Sequence, residues 1–187
     1  MDEPSERSEA TKAKLLSAAR DLVVEGGWGA VSNRAIAERA GVNLALISYH
    51  FGGQRPLLAA MLDAAVASIS ASYTPPGPQN DLGEFIGSAV EVVPQLADDP
   101  NVRVLVAAML EATHDEAIAA SVKPNLTALR AQIAQVLAAS GGAEEPHSGL
   151  VTILAALLDG ILLHFLVDRQ TDIAAAGAAL RSVSWTE

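Results

Sequence analysis

Two sets of residues carry groups suited to covalent or metal chemistry. Ser148, Asp159 and His164 supply the nucleophile, acid and base types that a hydrolase needs. No sharp strand-turn-helix elbow and no glycine-rich phosphate cradle frames them, so catalysis is not expected. His114, Asp115 and Glu116 offer ligand atoms, but adjacent residues at one helix end do not converge on one ion, and solvated surface is the expectation. The 187 residues include no cysteine, which removes disulfides and thiolate metal sites and fits a reducing cytoplasm. No enzyme activity, metal or cofactor is therefore expected. What remains is recognition by hydrogen bonds and ion pairs, concentrated in "NRAIAERAGVNLALISYHFGGQR", residues 33 to 55. That stretch holds amide, hydroxyl, imidazole and guanidinium groups in a short span.

The elements that must position these groups are helical. Alternating polar and β-branched runs are absent, while apolar residues recur at helical spacing. Leu15, Ala19, Leu22 and Val23 form one stripe on a helix from about Ser8 to Glu25, closed by Gly26-Gly27, with Trp28 as a core wedge. Ser32 is a good N-cap, preceded by Val31 and followed four residues on by Ile36, the pattern of a hydrophobic staple. The device repeats with Asn43, Val42 and Ile47. Gly41 stands between the two and suits a left-handed reversal. Two short stapled helices across a glycine turn make a helix-turn-helix.

If the second of these begins at Asn43, then Val42, Ile47, His50 and Phe51 turn inward, and Leu44, Ala45, Ser48 and Tyr49 turn outward. A soluble protein has little structural reason to expose Leu44 and Tyr49 together. A helix lying in a DNA groove has one, because apolar side chains meet thymine methyls and hydroxyls donate to phosphates. Charge agrees. The formal net charge is −10, yet residues 7 to 60 hold seven Lys or Arg against four acids, and residues 61 to 187 hold five against fifteen. Only the first part is suited to a polyanion.

Downstream, a helix is expected from Gln54 or Arg55 to Ser72, with Pro56 tolerated in its first turn. "YTPPGPQN" (73–80) breaks the chain, and Asp81 with Glu84 resembles a capping box. Helices are expected at about 81–97, 101–112, 115–139, 149–168 and 171–184, with Pro124 kinking or splitting the third. "GGAEEPHSG" (141–149) is a connection. "LVTILAALLDGILLHFLV" (150–167) approaches the length of a membrane span, but it contains Asp159 and His164 and reads as a buried helix of a soluble protein. The first twenty residues are charged and give no sign of a signal peptide. No membrane partner is expected.

"TKAKLLSAARDLVVEGGWGAVSNRAIAERAGVNLALISYHFGGQRPLLAAML" resembles the N-terminal domain of TetR-family transcriptional repressors. The matching features are a first helix ending in Gly-Gly-aromatic, "IAERAGV", "YHF", and the "LL" of the fourth helix. "LLDGILLHFLVD" (157–168) looks like the penultimate helix of many members. The resemblance implies an all-α chain: a three-helix helix-turn-helix DNA-binding domain at residues 1–53, with its core at about 8–53, and a helical effector-binding and dimerisation domain at 54–187. It implies phosphate contacts at Asn43, Ser48, Tyr49 and His50, and at Asn33 of the preceding helix. It implies base-edge contacts at Leu44 and Ala45, and at Arg34, which in some members reaches a guanine. Many members have lysine where this chain has Leu44 and Gln54. Gln54 can still donate to a phosphate, with Arg55 beside it, but the salt dependence of binding should be shallow.

One helix-turn-helix seldom suffices, so a homodimer on an approximately palindromic double-stranded operator is expected, joined through helices 149–168 and 171–184. The apolar middle helices, with Thr152, Asp159 and His164 as sparse polar groups, suit a small hydrophobic effector. The resemblance implies that such a ligand moves the fourth helix and releases DNA. The alternative is a helix-turn-helix protein with no small-molecule effector.

Overall fold

The computed structural model describes residues 3–72, 82–139 and 148–183. The chain break at 73–80, Asp81 of the expected capping box and most of the 141–149 connection lie outside these residues. All regular structure among the described residues is helical. Two compact units result.

The first unit is formed by α1 (Glu3–Gly26), α2 (Asn33–Ala40), α3 (Ala45–Phe51), α4 (Gln54–Ser72), α7 (Pro100–Glu111) and the start of α8 (Glu116–Ala139), through Val122. Leu15 of α1, Ile36 of α2, Ile47 of α3 and Leu57 of α4 are fully buried. Each comes from the apolar stripe of its helix, so the short α2 and α3 are held by what they bury rather than by length, which alone would leave them marginal. α1 packs on α2, α4 and α7, and α3 packs on α4. Trp28 lies in a single 3-10 turn, Trp28–Ala30, and is half-buried. The Arg39 guanidinium grips both carboxylate oxygens of Glu25, at 2.9 and 2.7 Å, tying the end of α2 to the end of α1.

The second unit holds α5 (Leu82–Glu91), α6 (Val93–Asp98), the rest of α8, α9 (Ser148–Val167) and α10 (Ile173–Ser182). The helix expected over 81–97 is interrupted at Val92. Pro94 explains the break: it has no N–H to donate and its ring crowds the carbonyl four residues back. Pro124 behaves differently, because α8 runs unbroken through it. One core joins Phe85, Ile86, Ile133 and Leu154, and another joins Val90, Val93, Phe165 and Ile173. α10 lies close along α5. A Cβ at Gly177 would sit 3.3 Å from the Gly87 carbonyl oxygen, and a Cβ at Gly87 would sit 2.8 Å from the Arg181 stem. Arg181 then pairs with Glu84 and Glu91, and the guanidinium at 2.8 Å holds the Glu91 carboxyl below its ordinary range.

By length and composition, residues 149–167 of α9 could cross a membrane. Few of them are buried within the chain: 22 % of the most apolar window. Ile153 and Val167 are 66 % and 83 % exposed, and Leu163 is exposed as well.

Candidate nucleic-acid interface

The turn between α2 and α3 is built as its residues require. The Ser32 hydroxyl accepts from the Ala35 N–H at 3.1 Å, capping α2. Gly41 has φ 66° and ψ 36°, and its N–H and that of Val42 reach back to the Glu38 and Ala37 carbonyls. Asn43 then starts α3: its Oδ1 accepts from the Ala45 N–H at 2.8 Å, and its carbonyl accepts from the Leu46 N–H. The regular helix begins two residues after this side chain, which leaves the Asn43 amide nitrogen to donate outward. Gly52, with φ 80°, ends α3, and its N–H bonds the Ser48 carbonyl.

α3 presents the face its sequence implies. Leu44 is 51 % and Tyr49 79 % exposed, and Ala45 and Ser48 are exposed beside them. Ile47 is fully buried, while Val42, His50 and Phe51 are half-buried. The His50 ring meets the Tyr49 ring edge-on at 4.9 Å, bracing a phenol that would otherwise swing freely. The helix thus offers two apolar contacts and two hydroxyl donors on one surface.

Most of the flanking groups are already engaged. Arg34 extends into solvent and donates through Nε to Glu38 Oε1 at 2.8 Å, one turn along α2. Arg55 is exposed and stands 3.5 Å from Asp115. Gln54 is half-buried, and its Nε2 donates to the Val31 carbonyl at 2.9 Å, pinning the start of α4 to the strand of chain before α2. This bond takes up one of the two N–H groups expected at a phosphate. Asn33 has its Oδ1 buried with no partner among the described residues, and its amide nitrogen is the group able to donate to a phosphate. Lys12 pairs with Glu9 at 2.8 Å, while Lys14 is exposed. The spacing of Arg34 and Glu38 was readable in the sequence. The Asp115 and Val31 partners were not, because they depend on tertiary packing.

Of the three polar groups expected at an effector, all lie on α9. Thr152 and His164 are exposed and Asp159 is half-buried. Seven residues separate Thr152 from Asp159, two turns on one face, but His164 is rotated about 140° from Asp159. The structure does not bring the three together. Burial pushes the Asp159 carboxyl above its ordinary range, opposed by the charge of Arg130. Asp115 bonds instead to the Ala117 and Ile118 N–H groups, capping α8.

The described residues thus form a helix-turn-helix with an exposed, mixed apolar and hydroxyl face on its second helix, within an all-helical architecture. Residues 15–61 match the family model described as bacterial regulatory proteins, tetR family. Residues 80–184 match tetracyclin repressor-like, C-terminal domain. The chain belongs to the TetR family of transcriptional regulators, which are DNA-binding proteins and not enzymes. No curated protein sequence matches it. Among solved structures it is similar to a protein from Pseudomonas aeruginosa PAO1 assigned as a transcriptional regulator, at 26% identity and a TM-score of 0.72, covering 95% of this chain and 88% of that one. It is similar to the multidrug binding protein EbrR, solved with imidazole, at 25% identity and a TM-score of 0.69, covering 90% and 92%. It shares the fold of NalD, the secondary repressor of the MexAB-OprM multidrug efflux pump in Pseudomonas aeruginosa, at 22% identity and a TM-score of 0.65, covering 93% of each chain.

Proposed function

We propose that this regulator is a repressor that binds an approximately palindromic operator as a homodimer in the cytoplasm and leaves it on binding a small, mostly apolar effector. The observation that carries the reading is the exposed Leu44, Ala45, Ser48 and Tyr49 face of α3, on a helix otherwise fixed by buried Ile47. Leu44 and Ala45 read base edges, Leu44 through thymine methyls. Asn43, Ser48, Tyr49 and His50 position the helix on phosphates, with Asn33, Gln54 and Arg55 at the flanks. Arg34 exchanges Glu38 for a guanine edge, whose O6 and N7 match its fork.

Function divides the chain at residues 53/54, because α4 carries the effector's signal to the reader and belongs to both halves. The second copy docks on α9 and α10. Ile153, Leu163 and Val167 are exposed on α9, and Ala174 and Ala178 on α10 are small enough for close approach. Thr152 and His164 lie among these exposed residues, which leaves Asp159 as the effector contact best supported by burial. EbrR has been solved with imidazole and with proflavin, which supports a small organic effector.

Selection of bound sequences from random DNA tests the reading. Two half-sites in inverted orientation, about one helical turn apart centre to centre, are expected. A single half-site, or no enrichment, would overturn it.

A further inference from the structure

The first unit carries a cleft of about 440 Å³, within the size range of small-molecule sites. One wall is the Trp28 turn and the first turns of α4, and the other is the end of α7 and the start of α8. The walls are largely apolar, formed by Trp28, Pro56, Leu58, Leu62 and Ile118. Three charged side chains also line it: Arg55, Glu111 and Asp115. Asp115 is satisfied, since Oδ1 accepts two N–H groups of α8 and Oδ2 faces Arg55. Glu111 is half-buried, and its carboxylate meets no donor or cation among the described residues. The cleft therefore contains one unmatched negative charge against an apolar, partly aromatic wall.

A carboxylate beside an apolar wall, partly shielded from water and without a cationic neighbour, attracts a ligand bringing positive charge. An anion would meet two carboxylates and an arginine already engaged. A neutral molecule would fill the walls and desolvate Glu111 further. A small hydrated cation would leave the walls wet. A cation carrying its own apolar body answers all of these at once, and an indole face favours a diffuse positive charge. We propose that this cleft binds an amphipathic organic monocation, its charge beside Glu111 and its body against Trp28 and Leu62. The site uses none of the α9 residues assigned to the effector, and it stands whether or not occupancy releases DNA.

Tetraphenylphosphonium and tetraphenylborate test it, being nearly equal in size and shape and opposite in charge. Calorimetry on the full chain without DNA should show the phosphonium binding and the borate not. Glu111→Gln should weaken the phosphonium on the order of tenfold, and Glu111→Asp should restore most of the affinity. Ala117→Lys places a positive charge at an exposed helical position of the same cleft, and it should weaken the phosphonium without removing any contact the fold needs. Equal binding of the two ions, no binding of either, or phosphonium affinity unchanged in both Glu111→Gln and Ala117→Lys would overturn the proposal.

Discussion

In the proposed reading Arg34 exchanges one partner for another, and the structure shows the first. Its guanidinium lies against Glu38 at 2.8 Å on an exposed face, where an ion pair is weak and easily exchanged. A guanine edge offers two acceptors in the geometry of the fork, so the exchange favours DNA at one base pair and little elsewhere. Replacing Arg34 by Ala should lower the preference for that base pair roughly tenfold to a hundredfold, measured by competition between operators differing at one position. An unchanged preference would remove Arg34 from the reading set. Glu38→Gln removes the competitor and should strengthen operator binding about twofold. Tyr49 acts differently. In the proposed reading its hydroxyl serves phosphates, so Tyr49→Phe should weaken all sequences by similar factors in the same competition assay.

Among the elements, the α2–α3 turn was the most legible in sequence. A left-handed residue was needed between two capped helices, and Gly41 stands there with φ 66°. A Cβ at Gly41 would meet nothing within 4 Å, so Gly41→Ala costs only its backbone conformation. Destabilisation of about 1–2 kcal/mol is expected, read from urea unfolding. A neutral result would mean the turn relaxes freely. The outward face of α3 was legible in part: with Ile47 committed to the core, the helical period places Ala45, Ser48 and Tyr49 outside, whereas Leu44, three residues before Ile47, is exposed because it precedes the regular helix. The break at Val92 was less legible. Pro94 is tolerated in a first turn as readily as it ends a helix, and only the packing of Val90 and Val93 into one core decides where the new helix begins. The partners of Gln54 and Arg55 were hidden altogether, since 23 and 60 residues separate them from Val31 and Asp115. Proximity between segments so distant is set by packing, not by local pattern.

For the whole molecule, the apolar stripe of α9 is the feature that a single chain leaves unexplained. Ile153→Glu with Val167→Glu places charge on the exposed stripe without touching the buried Leu154 or Phe165. The variant should remain helical by circular dichroism, sediment as a monomer, and lose operator affinity more than tenfold. A variant that still sediments as a dimer would place the interface elsewhere.

The ion pairs at the reading surface also alter what the surrounding salt does. A protein that meets DNA with free lysines releases the cations condensed on the phosphates and takes none back. In the proposed complex Arg34 and Arg55 turn to the DNA, so Glu38 loses its cation and Asp115 keeps only its two α8 N–H groups, and each carboxylate recovers part of a sodium atmosphere. The net release is smaller than the number of phosphates contacted, so log K should fall gently with log salt. Glu38→Gln combined with Asp115→Asn should steepen that slope. Operator occupancy would thereby stay comparatively even while a cell's potassium and sodium rise and fall.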